Sequence, residues 1–381
     1  MKIVCASSVL FGKEAFSTLG EVAVVPDKEI SRDHLRDVQV LVTRSKTDFN
    51  EKLLKDTAVQ FAGTATAGTD HMDIAYLEQA GITWCAAPGC NADSVAEYIT
   101  AALLRLSVRR GIDLAGLTLG VIGVGQVGSR VVKKAQILGM RVLQNDPPRQ
   151  INEGLGDFVS LSKLLPQSDI VTLHVPLIDG GMYATRQLAN YLFFELLKSG
   201  TVFINAARGE VQDEEALLDS LEKGRVRHAL LDVWENEPGY SGATMDKTDL
   251  GTPHIAGYSY EGRLKGTLMV LQEACRFFGR ECTWTGEELL PKPEPLVLDA
   301  AGLSQTDALH KLVTAAYDID RDDRDLRSGS AGDDPTRSAL FAKLRAKYPV
   351  RHEFPRFQVR LQHATPNLTA LVRELGFQIL S

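Results

Sequence analysis

Near neutral pH the side chain best suited to take a proton from a hydroxyl group is histidine. Of the eight histidines in the 381-residue chain, His254 is set in "GTPHIAGYSYEG", on a short apolar run between glycines. A carboxylate beside such a ring would orient it and raise its pKa. "LLDVWENEPG" supplies three candidates, Asp232, Glu235 and Glu237, at the end of a strand-like run. Arg208, in "INAARGEV", follows another buried-looking strand and precedes a glycine. Held there, its planar fork suits a substrate carboxylate. These groups lie far apart in the chain, and spacing alone does not show that they meet.

A second pattern supplies a cofactor site. "GVIGVGQVGSRV" holds Gly123, Gly125 and Gly128 between a plausible strand, "LTLGVIG", and a plausible helix, "SRVVKKAQILG". The next strand, "RVLQND", ends at Asp146. Strand, glycine turn, helix, strand and acid is the order a dinucleotide site requires. Gly123 permits the turn, Gly125 lets the backbone approach a pyrophosphate, and Gly128 allows close helix–strand packing. The helix N-terminus offers unpaired N–H groups to the phosphates. Asp146 can accept from ribose hydroxyls and would repel a 2′-phosphate, which favours NAD over NADP.

These residues need a frame, and the chain alternates strand and helix patterns as βαβ units do. "KIVCA", "VQVLVT", "VQFAGTA" and "ITWCAA" read as buried parallel strands in a first lobe. A long helix near "NADSVAEYITAALLRLSVRR" leads to a second series: "LTLGVIG", "RVLQND", "DIVTLHV", "TVFINAA", "HALLDV" and, as a sixth element, "TPHIAG". The expected fold is α/β: two Rossmann-like or flavodoxin-like lobes with parallel sheets and a cleft between them, plus a small C-terminal α/β domain. "EELLPKPEPL" reads as an extended linker and "DRDDRDLRSGSAGDD" as a charged, solvated loop. In "RHEFPRFQVR", Arg351 and Arg356 read first as a basic strand edge that discourages pairing. The alternative is a grip on a phosphate.

Composition narrows the partners. A net charge of −7 argues against nucleic acid or an anionic membrane, and the apolar runs are too short to span a bilayer. Five scattered cysteines without a C-x-x-C pair read as reduced packing thiols, and no metal site is expected.

"GVIGVGQVGSRV", "INAARGEV", "LLDVWENEP" and "TPHIAGYS", in order, together with "TATAGTDHMD" and "NADSVAEY", resemble the D-isomer-specific 2-hydroxyacid dehydrogenases. The resemblance covers residues 1 to about 285. It implies NAD as cofactor and a phosphorylated D-2-hydroxy acid as substrate. Arg208 would hold the α-carboxylate, His254 would take the hydroxyl proton, and Glu237, which precedes proline, would pair with His254. Gln126 and Val127, Val175, the backbone of Ala206 and Ala207, Asp232 and Gly257 would complete the NAD contacts, with Asp232 on the nicotinamide carboxamide. Ser45, Thr66 and Tyr258 would touch substrate. His71 is expected to support a turn, and His174 to pack near the cofactor crevice or touch it. The implied domains are a substrate lobe of residues 1–93 and 258–286, an NAD domain of 94–257, and a C-terminal dimerisation domain of 287–381. A cytoplasmic homodimer is expected. The rival readings are the same chemistry on 3-phosphoglycerate or an unphosphorylated hydroxy acid, and a non-catalytic NAD-sensing corepressor.

Overall fold

The computed structural model describes every residue except Leu155, Asp157 and Ser381. The chain divides into two compact units: Met1–Ala92 with Tyr258–Lys292, and Asp93–Gly257 with the chain from Pro293 onward.

The first unit holds a sheet of β1 (Lys2–Ala6), β2 (Glu21–Val25), β3 (Val40–Thr43), β4 (Phe61–Thr64) and β5 (Thr83–Cys85). All pairs are parallel, in the order β2-β1-β3-β4-β5. β1, β3 and β4 are buried along nearly their whole length because both faces are covered, hence their unbroken apolar runs. One cover is the helix Tyr260–Phe277, whose Val270, Leu271 and Ala274 join the core of Ile3, Leu41 and Phe61. β2 was not among the expected strands. It carries an apolar run, Val22 to Val25, but lies at the sheet edge, where all but Val25 are at least partly exposed.

The second unit holds β6 (Thr118–Ile122), β7 (Arg141–Asn145), β8 (Ile170–Leu173), β9 (Thr201–Asn205), β10 (Val226–Leu231) and β11 (Leu250–Gly251). They pair in parallel, in the order β11-β10-β9-β8-β6-β7. A further parallel sheet, with β13 (Gln358–Gln362) between β12 (Leu296–Asp299) and β14 (Gln378–Ile379), follows near the C-terminus.

Three expectations change. "TPHIAG" is not a strand: the sixth strand is the two residues before it, and His254 sits at φ +55°, a left-handed conformation no strand admits. The charged stretch is not a solvated loop. Its first half is the helix Ile319–Arg327, with Asp322 and Asp323 buried. Asp322 accepts from the hydroxyls of Tyr317 (2.9 Å) and Tyr348 (2.6 Å), and Asp323 pairs with Arg327 at 2.8 Å. Charges turned inward onto such partners look, in sequence, like a solvated run. Arg351 and Arg356 do not form a strand edge either. They precede β13, the middle strand, and Arg351 is only 3% exposed.

Candidate active site

Strand register lines up the site before any side chain is considered. Ile122 of β6 lies opposite Asn145 of β7 and Leu173 of β8; Leu173 opposes Asn205; Leu231 opposes both Asn205 and Gly251. The residues one step beyond therefore form a row along the C-terminal sheet edge: Asp146, Gly123, His174, Ala206, Asp232 and Thr252. In doubly wound sheets that edge is the ligand crevice, deepest where strand order reverses, here between β6 and β8.

The three glycines differ in what surrounds them. Gly123 has φ +82°, and a Cβ there would come within 2.7 Å of the His174 backbone. A Cβ on Gly128 would collide with the Gly123 carbonyl, so the helix Gln126–Ile137 lies directly on the turn. At Gly125 a Cβ would meet nothing within 4 Å, which leaves the backbone open to a pyrophosphate. Gly125 caps the helix without a side-chain hydrogen bond, and Gly125 and Gln126 are exposed. Asp146 accepts from Val124 N (2.8 Å) and Arg149 N (3.1 Å), pinning the turn while staying half-buried at its rim. Val127 and Val175 are half-buried on the same edge. These residues fit a dinucleotide: an open backbone cradle, an uncapped helix start and an acid at the second strand's end. His174 bonds Thr172 Oγ1 through Nε2 (3.0 Å), while its Nδ1 is buried without a partner. Burial pushes its pKa down to about 3, so the ring stays neutral.

His254 meets Glu237: Nδ1 lies 2.7 Å from Oε2. Glu237 Oε1 accepts from Trp234 N at 3.0 Å, which fixes the carboxylate against its own turn. Burial alone would raise the Glu237 carboxyl, but the facing His254 charge and hydrogen bond hold it below its ordinary value. Glu235 is engaged elsewhere, accepting from Glu214 N at 3.3 Å. The imidazole is 31% exposed, accessible to a ligand.

Arg208 reaches this neighbourhood through Gly209, where a Cβ would strike the backbone of Trp234 and Glu235. Only glycine lets the "ARGEV" turn press onto the "WENEP" turn. Asn205 shapes the approach: its Oδ1 accepts from Ala207 N and its Nδ2 donates to Arg208 O, both at 3.0 Å. Arg208 Nη1 donates to Ala207 O at 2.8 Å, and the side chain is half-buried.

Residues 97–256 match the NAD binding domain of the D-isomer specific 2-hydroxyacid dehydrogenases. The chain is 42% identical to erythronate-4-phosphate dehydrogenase from Klebsiella pneumoniae, over 99% of its own length and 98% of the relative's. The enzyme of that name from Salmonella typhimurium matches with the same figures. The chain belongs to the D-isomer specific 2-hydroxyacid dehydrogenases. Within them it falls with the erythronate-4-phosphate dehydrogenases. A solved D-lactate dehydrogenase from Aquifex aeolicus, complexed with NAD and lactic acid, superimposes with a TM-score of 0.60 and 26% identity. It covers 73% of this chain and 95% of its own. Residues 289–376 match a family described only as a domain of unknown function, DUF3410.

Of the groups that build the dehydrogenase's histidine loop, Ser94 was not singled out from the sequence, and Asp232, Asp323 and Arg351 were expected in other roles. Asp232, 1% exposed, accepts from Thr252 Oγ1 (2.7 Å), Ile255 N (2.8 Å) and Ala256 N (2.9 Å), while its carbonyl takes His254 N (2.7 Å). It was expected at the carboxamide; the structure makes it the post around which the His254 loop is wound. Burial raises its pKa despite these bonds and the nearby His254 charge. Ser94 Oγ donates to Ala256 O at 2.8 Å. Two supports come from the C-terminal segment. Asp323 accepts from Gly251 N (2.8 Å), and Arg351 donates to Ala256 O (3.1 Å) and Ser94 O (2.8 Å) while stacking 3.7 Å over Tyr317. No local signal marks Asp323 or Arg351 for this role, because their partners lie 72 to 257 positions away.

In the first unit, Ser45 follows β3 and is exposed. Thr66 follows β4, and its hydroxyl bonds Thr64 Oγ1 at 2.8 Å. Tyr258 is half-buried, with the Arg44 guanidinium 5.3 Å from its ring centre. His71 bonds Thr64 Oγ1 at 3.1 Å, and its carbonyl takes Phe49 N. It supports a turn, as expected.

Proposed function

We propose that this dehydrogenase oxidises 4-phospho-D-erythronate at C2 to 3-hydroxy-2-oxo-4-phosphobutanoate, with NAD as acceptor, as a step of pyridoxal phosphate biosynthesis. The observation that carries the reading is the His254–Glu237 pair of 2.7 Å, in a chain akin to erythronate-4-phosphate dehydrogenases over its whole length. The glycine turn and Asp146 would hold NAD, which would supply the hydride acceptor for C2. His254 takes the C2 hydroxyl proton on Nε2, since Nδ1 faces Glu237. The Glu237 carboxylate fixes the ring's orientation and stabilises the imidazolium that forms. Arg208 holds the α-carboxylate and polarises the oxygen as it becomes a carbonyl. Each turnover thus converts an alcohol to a ketone and releases one proton through His254.

Gly123, Gly125, Gln126, Val127, Gly128, Asp146, Val175, Ala206, Ala207, Asp232 and Gly257 are assigned to NAD, and Ser45, Thr66 and Tyr258 to substrate. Residues 1–93 and 258–286 form the substrate lobe of this reading, 94–257 the NAD domain, and 287–381 a dimerisation domain. β12 is an open sheet edge with Val297 60% exposed, which suits a homodimer contact there. No helix among the described residues is long and apolar enough to cross a membrane, in keeping with a cytoplasmic enzyme. The test is side-by-side turnover, followed as NADH absorbance, of 4-phospho-D-erythronate, 3-phosphoglycerate and D-lactate. The phosphoerythronate should be preferred by at least about 100-fold in kcat/KM. Equal use of the three overturns the substrate assignment, and no turnover of any supports the corepressor reading.

A further inference from the structure

The first unit has its own switch point. In the order β2-β1-β3-β4-β5 the strand order reverses between β1 and β3, where doubly wound sheets take ligands. The segment after β1 begins at Ser7 and that after β3 at Arg44. A third segment is carried there by the helix Tyr260–Phe277. Its Thr267 hydroxyl donates to Leu10 O at 2.8 Å, and its Arg263 Nη2 donates to Ser8 O at 3.3 Å. Gly262 lets this helix press against the Cα of Asn91 and the carbonyl of Cys90, where a Cβ would crowd them.

Two guanidinium groups thus lie at the switch point, and neither Arg44 nor Arg263 is bonded to an acid among the described residues. The Nε atoms of both are buried without any hydrogen bond. Each has an aromatic neighbour instead: Arg44 lies 5.3 Å from the ring centre of Tyr258 and Arg263 5.6 Å from that of Tyr260. Burial, and then the like charge of Arg44, lower the pKa of Arg263. In a chain of net charge −7, acids to neutralise this pair are plentiful, yet the carboxylate in the segment after β2, Asp27, takes the hydroxyls of Ser7 (3.4 Å) and Ser8 (2.5 Å) and neither arginine. Unpaired, half-buried like charges are costly, and a bound dianion with several acceptor oxygens offsets that cost.

We propose that Arg44 and Arg263, at the β1/β3 switch point, bind the distal phosphate of the substrate. The inference rests on the phosphorylated acid assigned above. Arg44 adjoins Ser45 and Tyr258, both assigned to substrate, so one end of the ligand lies within reach of the pair.

Arg44→Gln and Arg263→Met are compared with the wild-type full-length enzyme on 4-phospho-D-erythronate and on D-erythronate. Either variant should lower the ratio of the two kcat/KM values about 100-fold, mainly through KM for the phosphorylated acid. Inorganic phosphate, competing with that substrate, should inhibit each variant about tenfold more weakly than wild type. Arg263→Lys keeps the charge without the fork and should recover part of the ratio. Ratios within about threefold of wild type in both variants, with normal thermal melts, overturn the inference. If Arg263→Met fails to fold, Arg44→Gln and Arg263→Lys decide by the same ratio. A wild-type enzyme that ignores 4-phospho-D-erythronate overturns the function instead. Calorimetric titration with inorganic phosphate then decides the anion site, which stands if binding is lost in both variants and falls if it persists.

Discussion

The two sheets of this dehydrogenase share a topology and differ in what they place at its reversal. At the β6/β8 switch of the second unit the chain presents backbone: a glycine turn and an open helix start. At the β1/β3 switch of the first it presents two arginines that bond no acid among the described residues. The His254 loop differs again. Its peptide N–H and C=O groups are taken by Asp232, Ser94 and Arg351, and its side chain by Glu237. A group that must hold a proton at one place is over-determined, while groups that wait for an anion are left unpaired. Topology fixes where a ligand enters; the bonding left open at that point fixes which ligand.

The largest effect should come from the closed network. His254→Ala should lower kcat about 10⁴-fold while NAD affinity, read by fluorescence titration, stays within about twofold. A parallel loss of NAD affinity would show that the loop serves the cofactor and not the proton, and the contrast would fail. Glu237→Gln keeps the shape and removes the charge, and should cost about 100-fold in kcat. It also carries a pH signature. The folded carboxyl lies below the ordinary value of about 4.3, so its stabilisation is full above that value and is lost as pH falls through the folded one. Urea unfolding should therefore show wild type losing more stability than Glu237→Gln between about pH 5 and pH 3.

Arg351→Met sharpens the same point from a distance. Breaking buried bonds to Ala256 O and Ser94 O should cost about 3 kcal/mol of unfolding free energy and lower kcat about tenfold. A stability loss with kcat unchanged would reduce the C-terminal support to packing. The smallest effect is expected at the open cradle. Gly125→Ala meets no atoms, so it should leave the melting temperature within about 1 °C while raising the Kd for NAD about fivefold. Gly123→Ala, at φ +82°, should instead lower the melting temperature.

Much of the frame was legible because its signals are local. Gly123, Gly125, Gly128 and Asp146 sit within one strand–helix–strand unit, so the chemistry of each follows from neighbours in the chain. The same holds for the apolar runs of β1, β3, β4 and β6. "TPHIAG" misled because an apolar run normally continues as a strand; here the Asp232 carboxylate takes the N–H groups of Ile255 and Ala256 and turns the chain aside. "DRDDRDLR" misled because hydropathy cannot tell a charge in water from one paired with Tyr317, Tyr348 or Arg105. The acid partner of His254 shows the limit most sharply. Asp232, Glu235 and Glu237 were equal candidates by residue type, and family likeness alone chose among them.

The sequence by itself determined the α/β class, the dinucleotide turn and the residue types of the chemistry, since each depends on periodicity and short-range spacing. The tertiary structure decided that Glu237 and not Glu235 faces His254, that Asp232 and Arg351 hold the loop, and that Arg44 lies near enough to Arg263 to lower its pKa. Those outcomes depend on bonds that close between segments far apart in the chain, and one-dimensional spacing carries no record of which bonds will close.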